Sequence, residues 1–117
     1  MSVKRLKLQK PEADHAFIGL WHIYEMEMWD EDYFNMDVQA YIRINANNFG
    51  EFQFGLVEGG LNGWLETEER FAFTWEGCDE MDDASGSGWI ELNGENEIEG
   101  HIAFHRGDRS QFKAKSA

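Results

Sequence analysis

The densest group of side chains that could do chemistry is acidic. Five carboxylates lie within residues 76–83, directly after Trp75. A hard cation such as Ca²⁺ or Mg²⁺ takes several oxygen ligands from a flexible loop, but the EF-hand pattern also needs alternating ligands and a glycine at its sixth position. Met81 stands where the third ligand should be. We therefore predict a solvated acidic loop over residues 76–88, with a weak cation site as the alternative, and we assign no metal ligand.

A second group of such side chains lies along one predicted strand and at its end. It contains Trp21, Glu25, Glu27, Trp29 and Asp30. A carboxylate that faces an aromatic interior has a raised pKa, which suits acid–base catalysis. Burying two carboxylates without partners is expensive, so we expect Glu25 and Glu27 to face solvent or to pair with Arg43 or Arg70. A catalytic role for these carboxylates stays the alternative.

The spacing of histidine and cysteine does not support metal or nucleophile chemistry. On a strand, His101 and His105 would lie about 13 Å apart at about 3.3 Å per residue, which is too far to share an ion. Cys78 has acidic neighbours and no adjacent histidine, and negative surroundings disfavour the thiolate that a nucleophile needs. The chain has no phosphate-binding loop, Ser–His–Asp arrangement or zinc-ligand spacing. We predict no cofactor and no catalytic residue.

The elements that must position these side chains are mainly β-strands, because apolar and polar residues alternate between short turn signals. A strand over residues 20–29 keeps its apolar face only if a β-bulge near Tyr24 and Glu25 shifts the alternation by one residue. Asp30 is expected to cap a helical turn over residues 30–36. A turn is predicted at Gly59-Gly60. Further strands are predicted at residues 40–46, 51–57, 61–66, 71–75, 89–92, 98–104 and 109–115.

Seven to eight short strands joined by close turns predict an all-β fold, either a small up-and-down antiparallel barrel (calycin-like) or a sandwich. The interior of an eight-stranded barrel holds side chains or one small ligand. The alternation assigns these residues to the core: Ile42, Ile44, Phe52, Phe54, Phe71, Phe73, Ile102 and Phe104.

Charge divides the chain into a basic leader, residues 1–11, expected to be extended or disordered, and a single barrel domain, residues 12–117. Residues 11–105 hold all but one of the 23 acidic residues and only two of the 10 basic ones. Such a body repels phosphate backbones, so nucleic-acid binding is not expected. A lone cysteine, the lack of a signal peptide and the lack of a long apolar run favour a cytoplasmic protein without membrane contact.

Eight of the 10 basic residues lie at the two ends of the chain, before Pro11 and after His105. If the two ends pair in the barrel, their side chains form one positive strip that can dock on the acidic face of a second copy and give a homodimer. A leader that pairs with nothing is the alternative, and both stay open.

Five runs of the sequence, residues 21–30, 50–55, 75–82, 86–89 and 105–112, resemble a family of small, acidic bacterial hypothetical proteins. The match covers roughly residues 19–114. The resemblance implies a bacterial intracellular origin and one compact domain, and it implies no activity.

Three hypotheses for function follow. The first is a non-enzymatic barrel that binds a small apolar or aromatic ligand or a protein partner, because aromatic side chains line most binding pockets. The second is a small enzyme that uses carboxylates at the barrel mouth, and the third is a structural homo-oligomer or a protein that binds through a sheet edge. An internal cavity faced by a carboxylate would separate the first two. The candidate ligand-binding residues are Trp21, Glu25, Trp29, Trp75, Asp79, Glu80 and Trp89.

Overall fold

The computed structural model describes residues 15–117, which form a closed barrel of eight antiparallel strands. The elements are β1 (Gly19–Met26), α1 (Glu31–Phe34), β2 (Tyr41–Ile44), β3 (Phe49–Phe54), β4 (Val57–Thr67), β5 (Arg70–Asp79), β6 (Asp82–Leu92), β7 (Glu97–Phe104) and β8 (Arg109–Ser116). Each strand pairs with the next in chain order, and β8 returns to pair with β1. The up-and-down barrel is thus confirmed, and the sandwich is not formed. The predicted leader, residues 1–11, lies outside the described residues.

The first strand contains the predicted bulge. Its register against β8 shifts between Ile23 and Glu25, so that Ile23 and Met26 are both buried while Glu25 is exposed. The extra residue keeps apolar side chains inward on both sides of the shift. The strand ends at Met26, earlier than predicted. The helical turn α1 follows where it was predicted, and its N-cap Asp30 accepts a hydrogen bond from the Tyr33 N–H at 3.2 Å.

The turn predicted at Gly59-Gly60 is wrong, because both glycines lie within β4. The chain reverses earlier, at Gly55 and Leu56, and Gly55 takes the positive φ of 59° that this turn needs. Gly59 faces the interior, where a Cβ would stand 2.7 Å from the ring of Phe52. The glycine therefore makes room for an aromatic ring inside the sheet.

The predicted acidic loop is also wrong, because residues 76–88 belong to a β-hairpin. β5 runs to Asp79, β6 begins at Asp82, and only Glu80 and Met81 form the turn. Glu80 adopts a φ of 60° there. The carboxylates of the hairpin are exposed or half-buried, so extending the strands costs them little hydration.

Glycines and aromatic rings face each other across neighbouring strands of the core. Phe52 is paired with Gly59, Phe73 with Gly88, and Phe112 with Gly100. At each of these three glycines a Cβ would lie within 2.9 Å of an atom of the facing ring. Because glycine has no side chain, each of these glycines leaves the volume that the large ring on the next strand occupies.

The barrel interior is filled. A void of only about 10 Å³ lies among core side chains that include Ile23, Phe54 and Phe112. The predicted core residues are buried, except Phe104, which ends β7 and is half-buried at the barrel mouth. Within residues 15–117 no helix has the length and apolar character needed to cross a membrane.

Candidate functional site

Two of the candidate ligand-binding residues, Trp21 and Trp75, are core residues with 5% and 2% of their surface exposed. The Trp21 indole N–H donates to the Phe17 carbonyl at 2.9 Å, and that of Trp75 donates to the Ala103 carbonyl at 3.2 Å. Because the polar group of each ring is already satisfied, these residues stabilise the barrel rather than offer a donor to a ligand.

Two further candidates, Glu25 and Trp89, lie on the outer surface, away from the barrel mouth. Glu25 faces solvent and forms a long ion pair of 3.9 Å with Lys113, not with either predicted arginine. The guanidinium of Arg70 lies 4.0 Å above the Trp89 ring, and the His101 ring stacks on Trp89 at 6.0 Å.

The other three candidates lie together at one end of the barrel. Trp29 and Asp79 line a cleft of about 380 Å³ at this mouth, and Glu80 forms the hairpin turn next to it. This volume is within the range of small-molecule sites. We call this site the mouth cleft. Its other lining side chains include Tyr33, Asp82, Asp83, Ala84, Phe104 and Asp108.

Aromatic rings form one side of the mouth cleft. The Trp29 ring stacks on Tyr33 at 6.1 Å and meets Phe104 edge-on at 6.2 Å. Beneath them Phe54, which is fully buried, lies 5.1 Å from the Trp29 ring. Trp29, Tyr33 and Phe104 are half-buried, so part of each ring stays open to the cleft.

Local backbone geometry holds these rings in place. The Asp30 cap starts α1 and thereby fixes Tyr33, whose ring lies across the β3–β4 turn. A Cβ at Gly55 would stand 2.3 Å from that ring, so only glycine allows the approach. The Gly55 N–H donates to the Phe34 carbonyl at 2.9 Å, which ties α1 to the same turn.

Carboxylates also line the mouth cleft. Asp79 and Asp82 face each other as the last residue pair of the β5–β6 hairpin, and Asp83 follows. Asp108 comes from the β7–β8 turn, where its carbonyl accepts from the Phe104 N–H at 2.8 Å. Among residues 15–117, none of these four side chains takes part in a salt bridge.

Metal binding is not supported by this arrangement. The described part of the chain holds no group of three or more His, Cys, Asp or Glu side chains placed to bind an ion. His105 lines the mouth cleft, whereas His101 stacks on Trp89, so the two histidines lie at different places on the barrel.

Tyr33, Phe104 and Asp108 are the residues that sequence reasoning missed. A signal for them existed, because Asp79, Asp82 and Phe104 are strand-end residues that an up-and-down barrel must bring to the same end. The alternation instead assigned Phe104 to the core, and Tyr33 was seen only as part of a helical turn.

No protein-family model, curated protein or solved structure matches this chain, so its resemblance to small bacterial proteins stays a prediction.

Proposed function

We propose that the protein is a non-enzymatic binding module that takes a small organic cation with an apolar body in the mouth cleft. The observation that carries this proposal is that half-buried aromatic rings and carboxylates line the same cleft, and that these carboxylates have no salt-bridge partner among residues 15–117. A cation over an aromatic face gains about 0.5–2 kcal/mol, and a facing carboxylate adds Coulomb attraction.

The filled interior favours a ligand site at the mouth over one inside the barrel. A void of about 10 Å³ holds no organic molecule, so an apolar ligand inside the barrel is not supported. The mouth cleft, at about 380 Å³, accommodates a trimethylammonium-sized head group with a short tail.

The competing hypotheses have less support. Of the carboxylates considered for catalysis, Glu25 and Glu27 are exposed residues of the outer surface, and only Asp79 and Glu80 lie at or beside the mouth cleft. The closed barrel leaves none of the eight described strands as a free sheet edge, which augmentation of another sheet would need.

Choline and its neutral carbon isostere 3,3-dimethyl-1-butanol test the proposal, because they differ in charge and hardly in shape. We expect calorimetry to show tighter binding of choline and a loss of affinity with rising salt. Trp29→Leu removes the stacked ring and should weaken choline binding by about 2- to 30-fold. Asp82→Asn should weaken it several-fold as well.

Glu95→Gln is the matched control, because it removes one exposed charge at the β6–β7 turn, at the other end of the barrel. It should leave choline affinity unchanged. Equal affinity for choline and the neutral isostere, or no binding of choline at millimolar concentration, would reject the proposal.

A further inference from the structure

A second concave surface lies on the outside of the barrel and adjoins the mouth cleft, with which it shares Ser85, Phe104 and His105. This outer groove of about 990 Å³ crosses the sheet from β3 to β8. Directly paired, outward-facing residues form its floor, one from each strand: Phe49, Asn62, Thr74, Ser87, Ala103 and Arg109. At about 4.8 Å per strand, the row is about 24 Å long.

The two ends of the outer groove differ in chemistry. At one end Phe49 exposes 51% of its surface. At the other end stand Arg109 and Arg106, the latter in the β7–β8 turn at a φ of 63°. Neither arginine forms a salt bridge with any carboxylate of residues 15–117. The groove therefore offers one aromatic and one cationic contact on a strongly acidic protein.

The other basic side chains of β8 are already engaged. Lys113 pairs with Glu25 at 3.9 Å, and the Lys115 ammonium lies 4.7 Å from the centre of the Tyr24 ring. The positive strip predicted along this strand is thus reduced to Arg109, together with Arg106 from the turn before it.

The tip of the β5–β6 hairpin has the complementary chemistry. Met81 exposes 94% of its surface, more than any other large apolar residue of the described chain. Carboxylates flank it on both sides, from Glu80 and from the strand residues Asp79, Asp82 and Asp83. The acidic frame is complementary to the two arginines at one end of the groove, and Met81 is a flexible apolar side chain that can pack beside them.

We infer that the hairpin tip of one copy binds the outer groove of a second copy, giving a two-fold symmetric homodimer. The tip and the groove share strands β5 and β6. Glu76 and Ser85 pair at the groove and lie about four residues, or about 13 Å, from the turn. Because the two surfaces are neighbours on one molecule, a two-fold axis between them lets both contacts form at once.

Reversing the charges on either surface tests the dimer by sedimentation velocity on the full chain. Arg106→Glu with Arg109→Glu makes the groove acidic, and Glu80→Lys with Asp83→Lys makes the tip basic. Each double variant should dimerise at least tenfold more weakly than the natural protein. An equimolar mixture of the two should restore the dimer, because each groove then meets a tip of opposite charge.

Glu68→Lys with Glu69→Lys is the matched control, since it adds the same charge at the β4–β5 turn, at the other end of the barrel. It should keep the dimer. Met81→Ser, at a residue too exposed to affect folding, should weaken the dimer on its own. The natural dimer should dissociate between about 0.01 M and about 1 M salt, where the Debye length falls from about 30 Å to about 3 Å.

A natural protein that stays monomeric at low salt would overturn the inference. So would a dimer that keeps its affinity in both double variants, or a mixture of folded variants that stays monomeric. None of these outcomes depends on choline binding.

Discussion

Tyr24 illustrates how acidic neighbours change the chemistry of a single exposed side chain. Its hydroxyl donates a hydrogen bond of 2.5 Å to Glu97. This hydrogen bond is the largest cause, followed by desolvation and nearby carboxylates, and together they raise the pKa of Tyr24 to about 12. Loss of the proton would remove the donor and put a second negative charge beside Glu97. Tyr41 also has a raised pKa, caused by burial first and then by its hydrogen bond to Glu51.

Alkaline titration of tyrosinate absorbance checks this effect. Tyr24→Phe should remove the ionisation step near pH 12, and Glu97→Gln should move the step toward the ordinary value of about 10. Because the folded pKa exceeds the unfolded one, the stabilisation is present below about pH 10 and is lost as the pH rises toward 12. Glu51→Gln, which acts on Tyr41, serves as the control. A step at pH 12 that survives in Tyr24→Phe would contradict the assignment.

At the scale of the strands, the pairing of glycine with aromatic rings decides how tightly the sheet can close. Gly88 lies opposite Phe73, and a Cβ there would stand 2.5 Å from both the ring and the His101 carbonyl oxygen. Gly60, on the outer face of β4, has its nearest neighbouring atom at 3.9 Å from such a Cβ. Glycine is therefore required at the first position and dispensable at the second.

Gly88→Ala and Gly60→Ala form a matched pair that tests this difference. Gly88→Ala overpacks the core and should lower the free energy of unfolding by about 1–3 kcal/mol. Gly60→Ala should leave it unchanged or raise it by about 0.4–1 kcal/mol, because alanine restricts the unfolded chain. Urea denaturation measures both. Equal losses in the two variants would show that strand conformation, and not the facing ring, sets the requirement.

Elements with a local signal could be predicted from the sequence, whereas elements that depend on the facing strand could not. The bulge near Tyr24 and the Asp30 cap follow from local alternation and local hydrogen bonding, so the sequence alone located them. Gly59-Gly60 looks like a turn unless the facing residue Phe52 is known, and that pairing depends on the register of the next strand. Acidic residues likewise suggested a loop over residues 76–88, where cross-strand pairing extends a hairpin.

The candidate site could be predicted only in part, because the length and register of the strands also decide which side chains meet. Trp29, Asp79 and Glu80 were singled out by residue type, and they lie at or beside the mouth cleft. Trp21 and Trp75 share that type but point inward. Residue type indicates what a side chain can bind, whereas strand length and register determine which end of the barrel it reaches.

For the whole molecule, one filled core supports all eight strands. Phe54 is fully buried and packs against rings outside its own strand, Trp29 at 5.1 Å and Phe104 of β7 at 6.4 Å. A close-packed interior of this kind has no reserve volume into which neighbouring side chains can relax. The stability of the barrel and the shape of the mouth cleft therefore depend on the same side chains.

Phe54→Ala should lower the free energy of unfolding by about 3–5 kcal/mol, because it leaves a ring-sized void in this core. Phe49→Ala is the control, since that ring is half exposed in the outer groove and its loss should cost far less. Thermal and chemical denaturation compare the two variants. Similar melting temperatures for Phe54→Ala and the natural protein would show that the strand faces are assigned wrongly.

The seam where β1 meets β8 has a consequence for how the chain folds. Every other strand pairing joins neighbours along the chain, but the seam pairs Trp21 with Ser116. Contacts between such distant residues form late, because the entropy of closing the intervening loop must be overcome first. Any state in which the seam is open is a sheet with two unpaired edges, and such edges are prone to pair with other molecules. The dense negative charge of the body makes two chains with open seams repel each other, and this repulsion opposes pairing between their unpaired edges.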